Sequence, residues 1–104
     1  MIELYQGDDL LAFDGAPIKV TIINPDDLYI KKAYIVINPG DQSIVKEYDE
    51  PSDEIIVDLN STDTRKLKYQ NVMKLVLIDS LGRKRTCPEE FRFIAKQEVY
   101  HVKS

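Results

Sequence analysis

The sequence holds no tryptophan, one cysteine (Cys87), one histidine (His101) and four glycines in 104 residues. Each scarcity excludes something. Without Trp and with a single Cys, the Cys…Trp…Cys core of antibody domains is out. No internal disulfide can form, and no thiolate metal site can be built from this chain alone. His101 stands three residues from the last one, where chains are commonly poorly ordered, and it makes a poor catalytic base there. Gly7, Gly15, Gly40 and Gly82 lie too far apart for a phosphate-cradling loop. Apolar runs such as Val76-Leu77-Ile78 fall far short of the ~20 residues that cross a bilayer. The opening MIELYQGDDL lacks the basic and apolar regions of a secretory signal. Asn60-Ser61-Thr62, which matches the glycosylation pattern, therefore reads as part of a turn.

Basic charge is also in short supply. Fourteen Lys and Arg stand against eighteen Asp and Glu, a net charge of −4, whereas domains that live on nucleic acid are usually basic. The acidic pairs Asp8-Asp9, Asp26-Asp27, Asp49-Glu50, Asp53-Glu54 and Glu89-Glu90 read as solubility and turn chemistry. Adjacent carboxylates on strand ends diverge, which does not suit a glycosidase pair. No Asp-x-Asp-x-Asp-Gly loop is present, so an Asp-rich turn is only a weak calcium candidate. Cys87, in Arg85-Thr86-Cys87-Pro88, reads as a half-buried small apolar residue and not as a nucleophile. No catalytic residue, metal or cofactor is expected, and the chain is not read as an enzyme.

What the sequence does have is period-two alternation. In IKVTII, Ile18, Val20 and Ile22 share a face; in KAYIVI, Ala33, Ile35 and Ile37 do. In EIIVDL the set is Ile55, Val57 and Leu59; in MKLVLID it is Met73, Leu75 and Leu77; in FRFIA it is Phe91, Phe93 and Ala95. Such runs are strands with one face on a core. Gln6-Gly7-Asp8-Asp9, Asn24-Pro25-Asp26-Asp27, Asn38-Pro39-Gly40-Asp41 and Asp79-Ser80-Leu81-Gly82 separate them with turn chemistry. Further strands are expected at Ile2 to Tyr5, at Glu98 to Val102, and at Ile44 to Tyr48, the last pairing with Ile55 to Leu59 through the loop Asp49 to Asp53. Ser61 to Leu67 is expected to form one helical turn capped by Ser61 or Thr62, ahead of a corner hydrogen bond from Tyr69. The whole, 1–104, is read as one all-β domain, an immunoglobulin-like antiparallel β-sandwich of about seven to nine strands.

The stretch LVLIDSLGRKRT puts a basic triplet after a hairpin loop. Alternation sends Lys84 to the opposite face from Arg83 and Arg85, so no continuous basic surface results. Tyr34 and Val36, and Ile56 on its own strand, fall on the faces opposite the core sets. Exposed together they make an apolar patch, the type of surface small domains use for association. These three residues are the candidate partner-binding site. The six tyrosines (Tyr5, Tyr29, Tyr34, Tyr48, Tyr69, Tyr100) give the alternative reading, a small carbohydrate-binding module.

IELYQGDDLLAF resembles the first strand and turn of the immunoglobulin-like N-terminal domains of phage baseplate and tail proteins, as in the baseplate upper protein family. Asp63-Thr64 through Leu67 to LVLIDSLGRKRT resembles that family's threonine and leucine, short turn, strand ending in Asp, then x-x-Gly-Arg and a threonine. Asp27-Leu28 followed by KAYIVI is similar to a further block. Family members carry a glycine shortly after the leucine. Here Leu67-Lys68-Tyr69-Gln70-Asn71 has none, and Asn71 is the nearest residue tolerant of a left-handed conformation. The resemblance implies a non-enzymatic virion structural protein of a phage or prophage, assembled in the host cytoplasm. Its expected partners are other tail or baseplate proteins or further copies of itself, with no nucleic acid and no membrane.

Overall fold

The computed structural model describes residues 2–10, 18–22, 29–40 and 42–99. Alternation turns most of them into strands: β1 (Ile2–Tyr5), β2 (Lys19–Thr21), β3 (Ile30–Ile37), β4 (Ile44–Asp49), β5 (Glu54–Ile56), β6 (Gln70–Asp79), β7 (Lys84–Thr86) and β8 (Phe91–Lys96). One short helix, α1 (Ser61–Arg65), lies between β5 and β6. The protein is all-β, as the period-two pattern predicts.

A six-stranded sheet runs β1-β8-β6-β3-β4, with β7 also paired to β6, and β2 and β5 form a two-stranded sheet. Along β3 and β6, Ala33, Ile35 and Ile37 stand opposite Leu77, Leu75 and Met73. These side chains meet Val20 and Ile55 of the small sheet, together with Ile18, Ile22, Val57 and Leu59, in one buried cluster. Each fully buried branched side chain of this kind contributes about 1.5–3 kcal/mol of transfer free energy. Phe93 and Ala95 join the cluster. Phe91 shares their face opposite Met73 but keeps 37% of its surface exposed, at a margin the narrow second sheet does not reach.

The long return strand is broken in two. The N–H of Cys87 donates to Leu75 O at 2.9 Å and Phe91 stands opposite Met73, so Pro88, Glu89 and Glu90 together oppose Lys74. That is a bulge, placed where proline has no N–H to give the ladder. The hairpin before it is as expected. Asp79 N–H donates to Arg83 O (3.1 Å) and Gly82 N–H to Asp79 O (3.0 Å), and Gly82 takes φ +79°, which residues with a Cβ avoid.

Several expectations are corrected. β4 pairs with β3, and β5 with β2, so Asp49 to Asp53 is a crossover between sheets and not a hairpin loop. Asn38, at φ +52°, turns the chain tightly enough for β3 and β4 to pair. Glu50, at φ +43°, then carries it away, with its N–H on Lys31 O (2.8 Å). The expected all-antiparallel pairing also has an exception, because β1 runs parallel to β8. Glu98 and Val99 lie outside any strand, and the rest of the strand expected there lies outside the described residues. The cap of α1 is Asn60, not Ser61 or Thr62. Its side chain accepts from Asp63 N–H (2.8 Å), and the Asp63 carboxylate accepts from Asn60 N–H (3.2 Å), a capping box.

The corner before β6 is closed by Asn71, not by Tyr69, which is 61% exposed. Asn71 is in strand and almost fully buried, so it does not supply the left-handed residue expected of it. Its Oδ1 accepts from Lys68 N–H (2.8 Å) and Asn38 Nδ2 (2.8 Å), and its Nδ2 donates to Lys68 O (2.7 Å). A side-chain amide thus bridges the turn.

Candidate assembly surface

The outward face of the large sheet is built by the same alternation that builds the core. On β3, Lys32, Tyr34 and Val36 point away from the core, as do Val45, Glu47 and Asp49 on β4. On β6 the outward residues are Val72, Lys74, Val76 and Ile78. The strand registers arrange them in rows: Val45–Val36–Lys74, then Glu47–Tyr34–Val76–Thr86, then Asp49–Lys32–Ile78–Lys84. Tyr34 and Val36 therefore sit at the centre of an apolar strip with Val76 and Ile78, and Val45, 55% exposed, extends it to the edge. Ile56 does not belong to it. It points outward from β5, on the other sheet, so the three candidate residues do not form one patch. Alternation along single strands identified Tyr34 and Val36, but only the register adds Val45, Val76 and Ile78.

The charges around the strip are ordered. Lys32 reaches Glu47 at 2.6 Å and Asp49 at 3.7 Å, and the hydrogen bond it donates to Glu47, then the charges of Glu47 and Asp49, raise the Lys32 pKa. Lys74 and Arg92 both reach Glu90, each at 3.4 Å. Further along, Lys96 bridges to Glu3 (3.2 Å) and stands 5.8 Å from the Tyr5 ring. Acidic groups gather on β4, and basic groups on β6, β7 and β8.

Elsewhere the chemistry is spare. Among the described residues no three His, Cys, Asp or Glu are placed to hold a metal, and no helix is long and apolar enough to cross a membrane. His101 and Tyr100 lie outside the described residues. Cys87 lines a cavity of about 360 Å³ with Ile22, Leu75, Leu77 and Phe91. Burial pushes its thiol pKa up and Glu89 adds to this, against a smaller opposing pull from Arg85, so the thiolate is disfavoured. The described tyrosines are spread over the molecule, with Tyr5 and Tyr69 both near Lys96. Tyr29 lies by Ser80, at one end of β6, and Tyr69 by Ala95, at the other. Tyr48 is half-buried beside Asp58, and burial first, then that carboxylate, push its phenol to about 12.

The Gln6-Gly7-Asp8-Asp9 turn has a structural role that its residue types did not reveal. Gln6 Nε2 donates to Leu67 O (2.6 Å), Gly7 N–H to Thr64 Oγ1 (2.9 Å), and Ser61 N–H to Asp9 Oδ1 (2.6 Å). Thr64 Oγ1 in turn donates to Asp8 O (2.9 Å). Gly7 lies at φ +87°, and a Cβ there would fall 2.5 Å from Glu98 Cδ. The turn clamps the start of the chain onto α1. Comparison with known protein families, with curated proteins and with solved structures finds no match to this chain.

Proposed function

We propose that this chain is a non-enzymatic structural protein of a phage or prophage tail or baseplate, working by protein–protein assembly. The observation that carries the reading is the outward face of the large sheet, an apolar strip centred on Tyr34 and Val36 with an ordered charged border. Faces of this composition on small domains are association surfaces. The strand order supports the immunoglobulin-like part of the reading. β8-β6-β3-β4 opposite β2-β5 follows the G-F-C-C′ and B-E order of that sandwich. The turn Gln6 to Asp9 and the hairpin at Asp79, which carry the resemblance to baseplate domains, are both ordered features that hold elements together.

The test is incorporation into particles. In virions purified from cells producing the phage, the chain is expected as a stoichiometric component, and Tyr34→Lys is expected to lower its incorporation at least tenfold while the soluble protein stays folded. Absence of the wild-type chain from purified particles would refute the reading.

A further inference from the structure

We propose that the outward face of the large sheet is closed by a second copy of the same chain, related by a two-fold axis that lies in the interface and runs along the strands between β3 and β6. The inference rests on the assembly reading for the choice of face and goes further by naming the partner and its orientation.

Two ways of pairing this face with itself are geometrically simple, and the charges separate them. An axis along the strands keeps each row and exchanges its ends. Asp49 then meets the partner subunit's Lys84, Tyr34 meets the partner subunit's Val76, and Lys32 lays its aliphatic stem over the partner subunit's Ile78. An axis across the strands instead reflects the rows about the Tyr34 row. Glu47 then faces its own image, a like-charge contact across an interface. Only the first arrangement sets the acidic edge on β4 against the basic one on β7 and β8. It also leaves the two sheets' strands nearly aligned, as in common sheet-on-sheet packing.

The ends of the third row are available for this contact. The Asp49 side chain is 75% exposed, and its one ion pair among the described residues is the long contact to Lys32. Lys84 is exposed at the far end of the same row and forms no ion pair among the described residues. Four strands at ~4.8 Å spacing, along a β6 of ten residues, present roughly 600 Å² per copy. The total of about 1,200 Å² lies at the lower limit of specific interfaces. The dimer is therefore weak, concentration-dependent and sensitive to salt.

The test uses two charge reversals, Asp49→Lys and Lys84→Asp, followed by sedimentation velocity from about 1 μM to 1 mM, the span of weak associations. The wild-type chain is expected to dimerise across this range, and each variant alone to associate at least tenfold more weakly. An equimolar mixture of the two variants is expected to regain wild-type association, because in the mixed dimer one Asp49–Lys84 contact is native and the other is restored with its charges exchanged. Circular dichroism melts of each variant check that exposed substitutions leave the fold intact. A wild-type chain that stays monomeric throughout, or a mixture no tighter than either variant, overturns the proposal. If that monomer still enters phage particles, the assembly reading survives without the second copy. A dimer excluded from particles has the opposite meaning.

Discussion

Thr64 is fully buried, yet its hydroxyl makes two contacts across more than fifty residues of chain, accepting from Gly7 N–H and donating to Asp8 O. Thr64→Val keeps the shape and removes both bonds, leaving a part-buried N–H and carbonyl without the hydroxyl. The expected loss is about 1–3 kcal/mol, measured as a lower urea midpoint at unchanged slope. Neither Thr64 nor Asn71 was legible as a keystone. In the sequence each has only a residue type, and threonine and asparagine are at home in exposed turns. What makes them matter is which distant backbone groups arrive beside them, and a local pattern carries no trace of that. Cys87 was legible as a half-buried small residue, because the proline after it and the apolar strand before it are local facts.

Among the elements, the β6–β7 hairpin is the one most completely written in its own residues. Asp79 accepts from the N–H groups of Leu81 and Arg83 at 2.9 Å each and from Arg83 Nε at 2.7 Å. The Arg83 backbone N–H is the chief cause of its lowered pKa, opposed by partial desolvation and assisted by the guanidinium and the Leu81 N–H. A carboxyl that titrates lower when folded stabilises fully above its unfolded value near ~3.9. That contribution is lost as pH falls through the folded value. Amide exchange at Leu81 and Arg83 is therefore expected to accelerate below about pH 4 beyond its intrinsic pH trend. Asp79→Asn should flatten that extra dependence; unchanged exchange in the variant would count against the account. Loop residues of the right types at the right spacing made this hairpin readable. β4 was misread for the opposite reason. Its alternation says that one face is buried and nothing about which strand lies beside it, and two loops of similar composition flank it.

At the scale of the whole molecule, two sheets of unequal width share one cluster, and β3 lies between the central strand β6 and the edge strand β4. Ile35, with no exposed surface, stands at its centre. Ile35→Ala is expected to cost about 2–5 kcal/mol, a large share of the ~5–15 kcal/mol that holds a typical domain folded. Thermal melts should show a markedly lower Tm with a single transition. The inward faces that make this core were almost all readable, since alternation reports burial directly. The outward face was readable strand by strand only, and Ile56 joined Tyr34 and Val36 on paper because a single strand cannot say which sheet it enters.

The parallel pairing of β1 with β8 places Ile2 opposite Phe93, and this sets an order of events on the ribosome. β1 has no neighbour in the sheet until β8 has left the exit tunnel. At roughly 5–20 residues per second, that interval is on the order of 5–20 s. Throughout it Leu4, buried in the finished protein, has no sheet to lie in. The β3–β4 pair, which needs only its own turn, can form long before. Nascent chains of this protein therefore carry β1 without its sheet partner throughout that interval, and this edge of the sheet closes only after β8 emerges.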